Sequence, residues 1–422
     1  MKPSNPTNAN IGMMSINGID VLDIFFSVSF YESVQMPIRC GELTLVEAAS
    51  QNFLDDNSIE GIEPIEFEIQ GANEHTYYFT GRLNKIKSRV RSASKSTITF
   101  EFASEAFALN EAIRVTKAYR NTNIADIVNE QNEKLKLTNW RIIGDSFPLT
   151  YIPPMLRPID LVQKLQARAV AFDSNAEGYD GRDQTSESSG RGGLFWFERQ
   201  EGSVLCTTNQ LMNGEAGNDS NKLALRTAMQ GASLEDQCNT ILQFDVLKHN
   251  DLQSTMRFGA VKSKLIHFDM DKGLYHESTY DSSDQYSKEM QELSVTPTRV
   301  MSRMYSNENQ NPSCEKATPF QFDQGPLAIQ QSNARQISAT SQVLHLQLNG
   351  RLDISPGDKL DIKIPTPSVA NTPHSPDPKY SGTYIVFNVG HSVSIQGNAL
   401  FTKLTVVRSA LQTNDATSVK PD

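Results

Sequence analysis

The sequence predicts a β-rich α+β protein: two antiparallel β-barrel modules with an inserted mixed α/β domain and a second, smaller insert. Three observations carry that reading. Apolar and polar residues alternate through residues 14–105 and again toward the C-terminus, the period of strands with one buried and one wet face. Between these stretches the apolar positions shift to helical spacing. With 422 residues, the chain exceeds one ordinary core, so several domains are expected.

Residues 1–13 are polar and read as a flexible arm. Strand signals fill the first β module, 14–105. In GELTLVEA, Leu43 and Leu45 alternate with polar neighbours; in STITFEFAS, Ile98, Phe100 and Phe102 do the same. So many short strands hide their edges most simply in a closed or nearly closed barrel. The mixed domain, 106–205, follows. Ile124, Ile127, Val128 and Leu135 lie at helical spacing, with the preceding Asn and Thr residues as candidate N-caps. Ile159, Val162, Leu165, Ala169 and Phe172 form a second helical row, and Pro158 suits a first turn. LFWFE and SVLCT flank Glu201-Gly202 as a hairpin. Residues 173–193, rich in Gly, Ser and Asp, read as a mobile loop.

The second β module is expected over 225–270 plus 336–410, interrupted by a weakly patterned insert at 271–335. Its strands bury Leu344, Leu346 and Leu348, then Leu360, Ile362 and Ile364. Residues 411–422 read as a flexible tail.

Composition excludes several classes. Lys and Arg number 39 against 49 Asp and Glu, a net charge of −10, which disfavours gripping nucleic-acid phosphates as the main task. The densest basic run, RLNKIKSRVRSASK at 82–95, reads as a solvated strand edge. Cys40, Cys206, Cys238 and Cys314 are far apart, without metal-ligand spacing, and read as reduced structural thiols. No stretch approaches the roughly eighteen apolar residues of a membrane helix. The polar N-terminus lacks a secretory core, so synthesis in the cytoplasm is expected.

No catalytic, cofactor-binding or metal-ligating set emerges. Ser146, in Gly144-Asp145-Ser146, sits in a stretch that reads as a loop, and no His has an acid three residues before it. DMDKG at 269–273 starts like a calcium loop but has Tyr280 where the bidentate acid belongs. His276-Glu277-Ser278 does not extend to the HExxH zinc pattern, and Walker loops, GxGxxG and nucleophile elbows are absent.

The C-terminal third is more specific. Pro356, Gly357 and Asp358 turn into the strand KLDIKIP; after a proline-rich loop come Ser381, Gly382, Tyr384, Ile385 and His391, and the last strand ends at Arg408. This order resembles the C-terminal barrel of contractile-tail phage baseplate hub proteins of the T-even type, related to the N-terminal part of VgrG spike proteins. The passage FASEAFALNEAIRVTKAYRNTNIADIVNEQ, the helix-then-hairpin over 157–202 and the strand pair LIHFDMDKGLYHESTYD resemble other segments of that family in the same order. The likeness covers most of 14–408; the 173–193 and 271–335 segments depart from it.

The resemblance implies a homotrimer whose six barrels form a pseudo-sixfold ring. That ring connects a sixfold tail tube to a threefold central spike and leaves a channel for DNA. The implied partners are the trimer's own copies and a spike protein that itself carries lysozyme activity in some such tails. They also include a tube or tube-initiator protein, and wedge and tape-measure proteins. DNA is only a passing cargo, and the chain inserts in no membrane. The implied place is the virion tail. The family implies no enzyme activity and no cofactor. A VgrG-like part of a secretion spike is the first alternative, though no Gly- and Val-rich needle repeats follow the last strand. A cell-wall-degrading or carbohydrate-binding tail protein is the second, with Tyr77, Tyr78, Phe195, Trp196 and Phe197 as candidate sugar-stacking aromatics. The loop over 365–380 exceeds what a hairpin needs and is expected to reach a neighbouring protein. His391 is placed on one strand face with Ile385, Phe387, Val389 and Val393 and is expected to be buried rather than catalytic.

Overall fold

The computed structural model describes residues 5–409 apart from 49, 147–148, 167–170, 174–192, 219–220, 226–232, 270–272, 284–285, 287, 306–324, 367–375 and 396–398. The loop expected at 173–193 and the tail at 411–422 therefore fall almost wholly outside the described residues.

The first barrel is built from β1 (Ala9–Ile16), β2 (Phe25–Ser33), β3 (Met36–Ala48), β4 (Pro64–Gly71), β5 (Thr76–Arg91) and β6 (Lys95–Ser104), paired antiparallel in the order β1-β4-β5-β6-β3-β2. Period-two burial fixes its register. Val28, Phe30, Leu43, Leu45, Phe67, Phe79, Phe100 and Phe102 all point into one core. β3 carries Gly41 in that inward row because no Cβ fits there: it would meet Ser29 O at 2.3 Å and the Phe102 ring at 2.4 Å. β1 begins inside the expected flexible arm, since residues 9–13 pair with β4.

The mixed domain holds α1 (Ile124–Lys134), β7 (Asn139–Ile142), α2 (Pro158–Gln166), the hairpin β8 (Leu194–Arg199) and β9 (Gly202–Thr207), and α3 (Thr208–Asn213). β9 pairs antiparallel with β8 and parallel with β7. The helices pack through Ile124, Ile127, Val128, Leu161, Val162 and Leu165 onto Trp196 and Leu205. Phe172, expected on the second helix, instead lies in a short strand, Ala171–Asp173, paired with Gly144–Ser146. Helical spacing over a few residues does not fix a helix, and here the strand pairing decided.

The second barrel comprises β10 (Asn221–Leu225) and β11 (Thr240–His249). It continues, beyond an insert, with β15 (Gln342–Asn349), β16 (Lys359–Lys363), β17 (Gly382–Ser394) and β18 (Ala399–Arg408). The ring β17-β16-β10-β11-β15-β18 closes on itself through the β17–β18 ladder. Leu223, Leu344, Leu346, Leu348, Leu360, Ile362, Ile364, Val386, Leu404 and Val406 fill it.

The insert is larger than the sequence suggests. Residues 262–269, assigned above to the second β module, form β12 (Lys262–Asp269). β12 pairs with β13 (Leu274–Asp281) and β14 (Arg299–Tyr305) in a separate three-stranded sheet. Alternation identifies a strand but not its sheet. Helix α4 (Gly325–Ala339) lies against this sheet, and Gln330 Nε2 donates to Ser263 O at 3.0 Å.

One hairpin serves both barrels. The first half of β17 pairs with β16; the second half, Asn388–Ser394, pairs with β2 of the first barrel. Leu400 N donates to Thr7 O at 2.7 Å, and Asn8 bridges Ala399, so β18 completes the first barrel on its other side. Val393 and Leu400 accordingly belong to the first core, and Val389 and Leu404 to the second.

Candidate functional site

The motif residues singled out in the C-terminal third all hold this shared hairpin in place. Gly357 adopts φ +87°, the left-handed region that costs a side chain strain. That turn lets Gly357 N donate to Val386 O at 2.8 Å while Val386 N donates to Asp358 O at 2.9 Å. Ser381 Oγ donates to Ile364 O at 2.9 Å and accepts from Ile364 N at 2.9 Å, joining the end of β16 to the start of β17. Arg408 donates through Nη1 to Ser381 O at 2.8 Å and through Nε to Gln342 Oε1 at 2.9 Å. Its guanidinium lies 4.8 Å from the centre of the Tyr384 ring, where the ring's face favours a cation. A Cβ on Gly382 would meet the Arg408 Nη1 at 2.8 Å.

A strand irregularity between Val386 and Asn388 overturns the single face proposed for Ile385, Phe387, Val389, His391 and Val393. The extra residue flips the alternation. Ile385 and Phe387 point away from both barrel interiors, onto Phe197, Val204 and Cys206 of the mixed domain. His391 is 2% exposed and faces the first core, its ring 4.8 Å from Phe30 and 6.0 Å from Tyr77. Its Nδ1 lies 3.0 Å from Thr402 Oγ1. That hydroxyl donates its one proton to Arg351 O and accepts from Arg351 N, so the neutral imidazole donates from Nδ1. Burial pushes the His391 pKa down from 6.5 to about 3.

A buried polar seam joins the two barrels through the tip of the β8–β9 hairpin. Arg199, fully buried, donates to Asp358 Oδ1 at 2.8 Å and Pro356 O at 2.9 Å, and pairs with Glu201 at 3.1 Å. Asp358 also accepts from Asn218 N and Ser355 N, each at 2.8 Å. The Pro-Gly-Asp turn is thus the dock for the mixed domain, as well as the start of a strand. On the first-barrel side, Arg39 donates from Nε to Glu198 Oε1 at 3.0 Å and from its backbone N to Oε2 at 3.0 Å; Ser104 Oγ donates to the same oxygen at 2.6 Å. Trp140 is sandwiched, with Arg141 4.3 Å and Arg199 4.5 Å from its ring centre. Beyond the Pro-Gly-Asp turn, these seam residues are not identified from sequence. The available signal was register: Arg39 continues the inward row of Gly41, Leu43 and Leu45, and a charge in such a row requires a buried partner.

The other sequence candidates resolve as structure. Gly144-Asp145-Ser146 is a strand whose side chains cap α1 from outside. Asp145 Oδ1 accepts from Ala125 N at 3.2 Å, and Ser146 Oγ accepts from Ile124 N at 3.3 Å. Asn123 makes no cap bond of its own and instead donates to Asp145 Oδ2 at 3.0 Å. The basic run on β5 is matched by acids: Lys85 by Glu101 at 3.0 Å, Lys87 by Glu42, and Arg89 by Glu47 at 3.6 Å. Tyr77, Trp196 and Phe197 are buried and Phe195 packs on Phe387; of the five aromatics only Tyr78 is exposed. Glu277 on β13 pairs with Lys264 at 2.5 Å. Cys40, Cys206 and Cys238 are free thiols, and Cys314 lies outside the described residues. Among the described residues no group of three His, Cys, Asp or Glu is placed to hold a metal, and no helix is long and apolar enough to cross a membrane.

Apolar surface concentrates on β11 and the insert. β11 carries two bulges, and the extra residues are Leu242 and Leu247, 45% and 56% exposed. Phe268, Tyr275 and Val300 are exposed on the three-stranded sheet, in registers that set them on one face.

This architecture is that of phage tail proteins. The 43 kDa tail protein of prophage MuSo2 from Shewanella oneidensis superimposes with a TM-score of 0.55 at 11% identity, covering 96% of this chain and 99% of its own. A tail protein from Neisseria meningitidis MC58 gives 0.55 at 9% identity, covering 97% and 99%. An Escherichia coli type VI secretion component is more distant, with a TM-score of 0.46 at 9% identity, covering 97% and 79%. No protein-family model and no curated protein matches the sequence.

Proposed function

We propose that the chain is the structural hub of a contractile-tail baseplate: a homotrimer that joins a sixfold tail tube to a threefold central spike. The observation that carries this reading is the pair of barrels fused through one hairpin. Three copies of such a chain present six similar barrels, which lets a threefold object meet a sixfold one. The whole-chain likeness to two tail proteins supports it. So do the leucines that the β11 bulges hold in water, since exposed apolar patches of this kind mark surfaces that a neighbour covers.

The work is mechanical, without catalysis or cofactor, and its place is the virion tail. The spike, which in such tails can itself carry lysozyme activity, sits on one side of the ring; the tube or its initiator sits on the other. Wedge and tape-measure proteins are further contacts; most of the loop over 365–380, expected to reach a neighbour, lies outside the described residues. DNA only passes through. Each chain carries −10, so an acidic bore would let phosphates slide rather than stick.

Cryo-EM of the purified particle, with and without a co-expressed spike, tests the arrangement. Six barrel densities around an acidic bore are expected; barrel pairs that never form a ring, or a basic bore, would contradict it. A cell-wall zymogram of the chain alone should stay opaque, and clearing would overturn the non-enzymatic reading.

A further inference from the structure

The seam between the first barrel and the mixed domain holds more acids than bases: Glu198, Asp358, Glu201 and Glu32 against Arg39 and Arg199. Arg39 is matched by Glu198, and Arg199 by Asp358 and Glu201. Glu32, on the inward face of β2 at the same mouth, makes no ion pair among the described residues. It is 2% exposed; its Oε1 accepts from Tyr77 Oη at 2.7 Å, and its Oε2 has no hydrogen-bond partner among the described residues. The groups that face it are Tyr77 from β5, Arg39 from β3, and Arg199 and Glu201 from the hairpin, with Glu198 and Asp358 behind the two arginines. His391 from β17 packs on Tyr77 and is neutral. A carboxylate with an orphan oxygen in such a place is costly, whereas the neutral acid is tolerated.

We propose that this junction is a proton-operated latch: Glu32 is protonated while the β8–β9 hairpin is seated in the barrel mouth, and loss of that proton to solvent loosens the hairpin. Burial raises the Glu32 carboxyl from 4.5 to about 7, against the opposing pull of Arg39 and the Tyr77 hydrogen bond. Between those two values the seated state keeps a proton that a loosened, hydrated Glu32 would release. Seating is therefore favoured in mild acid and loses that advantage as pH rises through neutrality. Among the described residues the hairpin is tied to the first barrel by Arg39 on Glu198, by Ser104 and by Gln200 Nε2 to Thr76 O at 3.1 Å, with Phe197 and Val204 packed in one cluster with Val34.

The protein carries its own probe. It has two tryptophans, Trp140 and Trp196, both in the mixed domain, and Trp140 stacks on Arg199 in the seam. Tryptophan emission of the full chain, titrated from pH 5.5 to 8.5, should show a transition near neutrality. Glu32→Gln should abolish it and hold the low-pH signal throughout. Tyr77→Phe removes a hydrogen bond that favours the charged form, so its midpoint should move to higher pH. A flat wild-type titration, a transition that survives Glu32→Gln, or an unmoved midpoint in Tyr77→Phe would each overturn the latch.

Discussion

The two barrels are built from similar strands but closed by different means. The second closes through ladders among its own six strands, around a core that is almost wholly hydrocarbon. The first borrows the far half of the β17–β18 hairpin, nearly four hundred residues from its first strand. Its interior also holds His391, Tyr77 and Glu32 among the phenylalanines. The difference assigns roles. The second barrel is closed by its own strands around an apolar core, whereas the first depends on a segment remote in sequence and holds titratable side chains inside it. Contacts of such sequence separation form slowly, because the loop must close before it is rewarded.

The sharpest way to break this division uses one strand. Leu400 and Leu404 both lie on β18, buried in the first and second cores respectively. Each alanine substitution should cost about 2–5 kcal/mol by loss of burial and cavity formation. Hydrogen exchange should show Leu400→Ala exposing β1–β6 and Leu404→Ala exposing β10, β11 and β15. Equal loss in both barrels from either variant would make them one cooperative unit and dissolve the comparison.

A smaller effect comes from acid. His391 is neutral in the fold, with its pKa near 3, and charges at its ordinary value once unfolded. Its contribution is present above about pH 6.5 and is lost as pH falls toward 3. Glu32 acts in the opposite sense, so the clean measurement is made in Glu32→Gln protein. From pH 7.5 to pH 5 that variant should lose about 2 kcal/mol of stability in urea melts. A flat profile would mean that His391 is not sealed in the first core.

The smallest change concerns the turn outside both cores. Gly357→Ala forces a side chain into the left-handed region, at about 1–2 kcal/mol. A Cβ there would also meet the Phe197 ring at 3.2 Å. The cost should appear as loosening of β8–β9, read by Trp140 emission, with the barrels' own protection unchanged.

How much of this was legible beforehand follows the physics of each signal. Alternation in GELTLVEA and STITFEFAS reports which side chains face inward, and those residues fill the first core. Alternation cannot say which sheet a strand joins, so β12 was assigned to the wrong one, and it cannot foresee the bulge at Phe387. The Pro-Gly-Asp turn was visible as a turn, but its second task was not, because Arg199 lies far away in sequence and meets Asp358 only after folding. The hairpin shared by two barrels was likewise hidden, since a single run of residues gives no hint that its halves line different cores.

The central claim is that paired barrels in one chain serve a threefold assembly. The mass of the purified protein in solution, alone and with a co-expressed spike candidate, tests it most directly. A particle of three chains is expected, reduced to one chain when Leu242 and Leu247 on β11 are both replaced by Asp while the fold is retained. A strict monomer under every condition, or a trimer indifferent to those two substitutions, would contradict the account.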